Sequence, residues 1–173
     1  QSYSNFNDFM YNLSYWSSWS NGFNIWKSEF DKIDKNLKLN KLFPHTSLFL
    51  TQHQAKLFCI NDNLLFDVQR IPKRGGHNKF EAFTIEYPSL LDECCKKGHI
   101  STKCKKHILF GIMVQFLPSL LFNKYIIRIE TFDDTGFRNN LKKYYPSYAY
   151  WLVLISVLGV PFRLFCRKLK NKR

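Results

Sequence analysis

The chain has 173 residues and a mass of 20.7 kDa, the size of one domain. Hydrophobic residues make up 45% and charged residues 23%, with only 7 Gly and 6 Pro, which excludes wholesale disorder and a fibrous or low-complexity chain. Lys and Arg number 26 against 13 Asp and Glu, so the net charge is +13 and anionic partners, lipid or nucleic acid, come into question.

Residues 5–39 carry one helical rhythm. Phe6, Phe9, Leu13, Trp16, Trp19, Phe23, Trp26, Phe30, Ile33 and Leu37 recur every three or four residues. This predicts a long amphipathic helix with a weak point at Asn21-Gly22. Its reverse face is Ser and Asn up to Asn24, then Lys alternating with Asp or Glu. Unbroken, it would span ~50 Å, more than a body of this size can bury. Phe9, Trp16, Phe23, Trp26 and Phe30 are therefore the candidate partner contacts. Residues 1–30 are nearly neutral, which favours another chain over anionic lipid as that partner.

Phe43-Pro44-His45 closes the first region. The stretches 47–50, 56–60, 64–71 and 79–87 are rich in Phe, Ile, Leu and Val with polar residues interleaved, and predict a small antiparallel β-meander. Asn61-Asp62-Asn63 is its expected hairpin turn. Lys73-Arg74-Gly75-Gly76-His77 reads as a solvated loop, since neither a Walker nor a dinucleotide pattern surrounds its Gly pair.

A polar stretch, 89–107, is dense in Cys, His and Lys. Cys95, His99, Cys104 and His107, with Cys94 in reserve, have the ligand chemistry of zinc, but the spacing contains no CxxC pair and matches no zinc module. No metal is expected there. The thiols are expected free, with a disulfide from Cys94 or Cys95 to Cys104 as the alternative in an oxidising compartment. There is no nucleophile elbow, no HExxH and no convincing carboxylate pair, so no catalytic residue and no cofactor is expected.

Two uncharged runs follow. Residues 108–123 reach only ~24 Å as a helix and contain Gln115 and Pro118. They suit a short span, a re-entrant segment or a buried helix. Residues 125–132 read as a strand. Residues 144–162 predict a transmembrane helix: 19 residues without a charge, an aromatic belt at one end and a basic cluster at the other. Pro161 in its last turn predicts a kink at the exit. Tyr148, Trp151, Leu154, Leu158 and Phe162 are its anchor residues. Arg163, Arg167, Lys168 and Lys170 are its membrane-surface basic residues, and Cys166 beside them is a candidate palmitoylation site. With 108–123 as partner, the same segment would form a two-helix hairpin.

The charge is divided to match. Residues 1–93 hold ten basic and ten acidic side chains, and residues 94–173 hold sixteen and three. Basic residues bracket the two most apolar runs, the pattern of membrane anchoring. The abundance of Phe, Tyr, Ile, Asn and Lys beside scarce Ala and Arg reflects an AT-rich genome: an organelle, a protist, a parasite or a large virus.

The expected fold is α+β: an aromatic helical region (1–43), a compact body (44–143), and a transmembrane helix with a basic tail (144–173). The expected function is a non-enzymatic accessory or structural subunit of a multi-subunit membrane protein complex, with other subunits and the lipid bilayer as partners. The mitochondrial inner membrane is favoured among organelle and cell membranes. The alternative is a basic RNA-binding or ribosomal protein of mitochondria, since +13 and many aromatics also suit phosphate contacts and base stacking.

Overall fold

Asn5 opens the first helix of the chain by accepting hydrogen bonds from the N–H groups of Asn7 and Asp8, the usual role of an Asn cap. The computed structural model describes residues 1–19, 24–61 and 78–170, the side chains of 167–170 excepted. The chain divides into two compact units, Gln1–Val68 with Glu86–Leu109, and Gln69–Ile85 with Phe110–Arg173.

The first unit contains β1 (Ser2–Tyr3), α1 (Phe6–Leu13), a 3-10 turn (Ser14–Ser18), α2 (Lys27–Phe30), α3 (Pro44–Leu50) and β2 (Phe58–Cys59). It also takes the later part of α4 (79–96) and the start of α5 (Thr102–Ile126). β1 and β2 pair antiparallel, Ser2 opposite Cys59 and Tyr3 opposite Phe58. Phe6 and Phe9 on α1 pack with Phe49 on α3 and Phe58 on β2 as an aromatic cluster. Tyr87, Leu91, Ile100, Cys104 and Ile108 are also buried here.

The second unit contains the head of α4, the rest of α5, α6 (Phe137–Tyr144), α7 (Ala149–Leu158) and α8 (Val160–Lys170). Phe80 on α4 packs on Phe132 and Phe137. α7 lies antiparallel along α5. Arg163, just beyond α7, meets Val114, while Tyr150 and Leu154 share a cleft with Leu121 and Tyr125. α5 is 25 residues long and, among the described residues, is the one helix long and apolar enough to cross a membrane by length and composition. Half of its most apolar window is buried inside the protein.

The α+β expectation is overturned. The fold is mostly helical, and a two-stranded sheet is the only one among the described residues. The long N-terminal helix stops at Leu13. The Ser17 and Ser18 hydroxyls donate to the carbonyls of Ser14 and Tyr15, at 2.8 and 2.7 Å, and Ser14 itself takes a φ of 55°. The polar residues that read as a solvent face thus compete for the backbone and end the helix. Further on, Trp26 is extended, α2 is one turn long, and the Asp34 carboxylate accepts the Asn36 N–H in an Asx turn.

The meander is overturned in the same way. Residues 47–50 belong to α3, which Pro44 starts from its first turn. Residues 79–87 are helical under an Asn78 cap. Within 56–60 only Phe58 and Cys59 form a strand, and their partner is the chain's second and third residues. The expected strand 64–71, most of the turn at 61–63 and the loop 73–77 lie outside the described residues. The strand expected at 125–132 is absent: α5 runs on to Ile126, and irregular chain follows to α6.

The C-terminal transmembrane helix is overturned as well. α7 and α8 are separate helices bent by 50° at Gly159. Pro161 has no N–H for the Val157 carbonyl, and its ring would clash inside a continuous helix. In the first turn of α8 the same residue costs little. At ten residues α7 is ~15 Å long, half of a ~30 Å hydrocarbon core.

Candidate functional site

α7 has almost no polar face: its sequence, AYWLVLISVL, offers two hydroxyls, those of Tyr150 and Ser156. Ala149 and Val153 are buried against the protein, while Trp151, Ile155 and Leu158 are exposed, Leu158 at 81%. The stripe continues at both ends. Tyr148 precedes it, and Phe162 (70% exposed) and Phe165 follow on α8. Positions 148, 151, 155, 158, 162 and 165 step by three and four throughout, so each helix turns one apolar edge outward. An exposed apolar strip of this kind on a monomer marks a surface meant to be covered.

The basic residues differ in role. Arg163 turns inward: its guanidinium donates to the Val114 carbonyl at 2.8 Å and the Ser156 carbonyl at 3.3 Å. The Val114 carbonyl lies in a π-helical turn of α5, Ile112–Phe116, that runs into Pro118. Arg163 therefore donates into this part of α5, rather than sitting among the surface basic residues where the sequence placed it. The backbone of α8 extends through positions 167, 168 and 170, whose side chains lie outside the description.

Of the anchor residues expected from sequence, Tyr148, Trp151, Leu158 and Phe162 are exposed, and Leu154 is half-buried beside the cleft. Ile155 and Phe165 are missing from that expectation; the three-four spacing contains them, but an almost wholly apolar run masks it. Of the partner-contact residues, Phe9 is buried at 5% and stacks on Phe58, so it belongs to the core and is not available to a partner. Trp16, Trp26 and Phe30 are exposed, as is Trp19, and Trp26 reaches 82%. Trp16 packs against both Tyr15 and Trp19. Phe23 lies outside the described residues.

The four candidate zinc ligands are used separately. His99 stacks on His53 with centroids 3.5 Å apart, and His107 stacks on Tyr11 at 3.9 Å. Burial holds His99 below the ordinary histidine value, with the adjacent His53 acting in the same direction. Cys95 Sγ is 3.7 Å from the Thr102 hydroxyl, and buried Cys104 donates to the Asn7 carbonyl. Burial pushes the Cys94 thiol up to about 11, which makes it a poor nucleophile. Among the described residues no three His, Cys, Asp or Glu come together as a metal set, and no cysteines are bridged.

Each unit carries an open cleft. That of the second, about 370 Å3, is lined by Leu121, Ile126, Phe137, Leu154 and Val157. Asp134 at its edge is bonded by Lys124 at 2.7 Å and by the Tyr125 hydroxyl, so it presents no unsatisfied charge. That of the first, about 410 Å3, lies among Phe30, Ile33, Leu37, Leu39 and Leu48. No family model, no curated protein and no solved structure matches the chain.

Proposed function

We propose that this chain is a non-enzymatic subunit of a multi-subunit membrane protein complex. The observation that carries this reading is the exposed apolar stripe of Trp151, Ile155, Leu158, Phe162 and Phe165. At roughly 25 cal/mol per Å2 of apolar surface, leaving several large side chains in water costs many times the thermal energy, so a hydrocarbon or protein environment is the stable state. The exposed Trp16, Trp19 and Trp26 of the first unit supply a second contact surface of the residue types that dominate interfaces. The carboxylates at both clefts, Asp134, Asp31 and Asp34, are each bonded to neighbouring groups, which fits an architectural role better than a chemical one. The composition is compatible with an organellar membrane, the mitochondrial inner membrane first among them.

Fractionation of native membranes tests this. The chain should remain in the pellet after high salt and after carbonate, and appear in the soluble fraction with detergent. Release by salt or by nuclease alone would replace this reading with that of a basic nucleic-acid-binding protein.

A further inference from the structure

We infer that α7 and α8 form a monotopic attachment to an anionic bilayer: both helices lie along one leaflet, with the stripe from Tyr148 to Phe165 immersed at the boundary of headgroups and acyl chains. The inference rests on the membrane reading above and gives it a lipid class and a mode of binding.

Three features select lipid as the occupant. The first is charge. From residue 135 onward the chain has nine basic side chains and no acidic one. Five of the nine fall in the last seven residues, at 167, 168, 170, 172 and 173, those at 138, 142 and 143 precede α7, and Arg163 is turned inward. Each basic residue near an anionic surface adds attraction, so a segment without one acidic side chain is complementary to anionic headgroups.

The second is the pattern around α8. Phe162 and Phe165 are exposed, and position 169, a leucine, shares their side of the helix. Positions 170 and 168 fall on opposite flanks of that edge in the helical register, while Arg163 is turned inward. An apolar edge bordered on both sides by basic positions is the arrangement of helices that lie in a membrane surface.

The third is length and shape. α7 and α8 are ten and eleven residues long and bent by 50°. Each reaches only about half of a ~30 Å core. One side of α7 is already committed to the protein through Ala149 and Val153. What remains for lipid is an edge, suited to shallow entry of about 5–10 Å.

The test uses the purified full chain and two vesicle populations, one of phosphatidylcholine alone and one of phosphatidylcholine and phosphatidylglycerol in equal parts. The chain should float with the mixed vesicles, with about tenfold or greater preference over the neutral ones, and the preference should shrink in high salt. The double variant Phe162→Glu and Phe165→Glu should lose flotation while keeping the wild-type circular dichroism spectrum. The double variant Lys168→Glu and Lys170→Glu, which leaves the apolar edge intact, should lose the preference for anionic vesicles. Equal binding of wild type to both vesicle types would overturn the lipid class.

In sealed native membranes an impermeant maleimide should reach Cys166 and Cys59, both exposed, from the same side. Reaction from opposite sides would mean that the chain crosses the bilayer, which overturns the monotopic mode and leaves the membrane reading intact. Failure to float with any vesicle, in a chain that still needs detergent for release from native membranes, would mean that protein covers the stripe. That overturns this inference alone, whereas release by salt overturns both.

Discussion

Arg163 shows how a residue can be legible in composition and opaque in role. Its place after an apolar run reads as a membrane-surface cation, yet it donates to Val114 and Ser156 carbonyls inside the second unit. The Val114 carbonyl lies in the π-helical turn Ile112–Phe116 just before Pro118, where the regular helical ladder is broken. A charged donor to a part-buried carbonyl contributes about 1.5–3 kcal/mol. Arg163→Ala should therefore lower the stability of the chain by that order in denaturant unfolding. In a Pro118→Ala background the loss should be clearly smaller, because an alanine at that position can donate its own N–H to Val114. Equal losses in both backgrounds would show that Arg163 acts independently of the proline.

At the scale of elements, Gly159 and Pro161 decide the geometry of the C-terminus. Gly159 has no positive φ, and a Cβ there would meet the Ser156 carbonyl at 3.5 Å and Arg163 Nη1 at 3.7 Å, both ordinary contacts. The bend therefore belongs to Pro161 rather than to glycine freedom. Gly159→Ala should leave the structure intact and raise stability by about 0.4–1 kcal/mol, by restricting the unfolded chain. A loss of stability would mean that the break requires glycine. Pro161 is visible in the sequence, where it predicts a kink at the exit of one long helix. The two halves prove to be separate helices because the proline acts one turn upstream of itself.

Other elements are legible only in part. Phe80, Thr84, Tyr87, Leu91 and Cys94 step by four and three and are all buried, a helical stripe along α4 where the sequence predicts a strand. It is obscured by Phe83, Ile85 and the alternating Glu81, Thr84 and Glu86, which imitate a strand. The aromatic rhythm of residues 5–39 is genuine in α1, where Phe6, Phe9 and Met10 face the core. Past Leu13, serine hydroxyls bonded to nearby carbonyls outcompete it, a local effect that hydrophobic periodicity does not register. The candidate surface is legible as composition: aromatic, aliphatic and flanked by base. That it lies on two short helices, with one side already packed, depends on tertiary contacts to α5 that no spacing rule encodes.

For the whole molecule, two exposed surfaces lie on two compact units, the Trp-rich edge of the first and the apolar stripe of the second. A chain that leaves both in water would associate without specificity, so each requires a cover. In the proposed function a membrane complex provides it. The most direct measurement is native gel electrophoresis of membranes extracted with a mild detergent, with the chain followed by its mass in a second, denaturing dimension. The chain should run in a particle many times its own 20.7 kDa and together with other subunits, and Trp16→Ala with Trp26→Ala should shift it to smaller species while it stays in the membrane fraction. Migration as a detergent-bound monomer, unchanged by the two substitutions, would contradict the account.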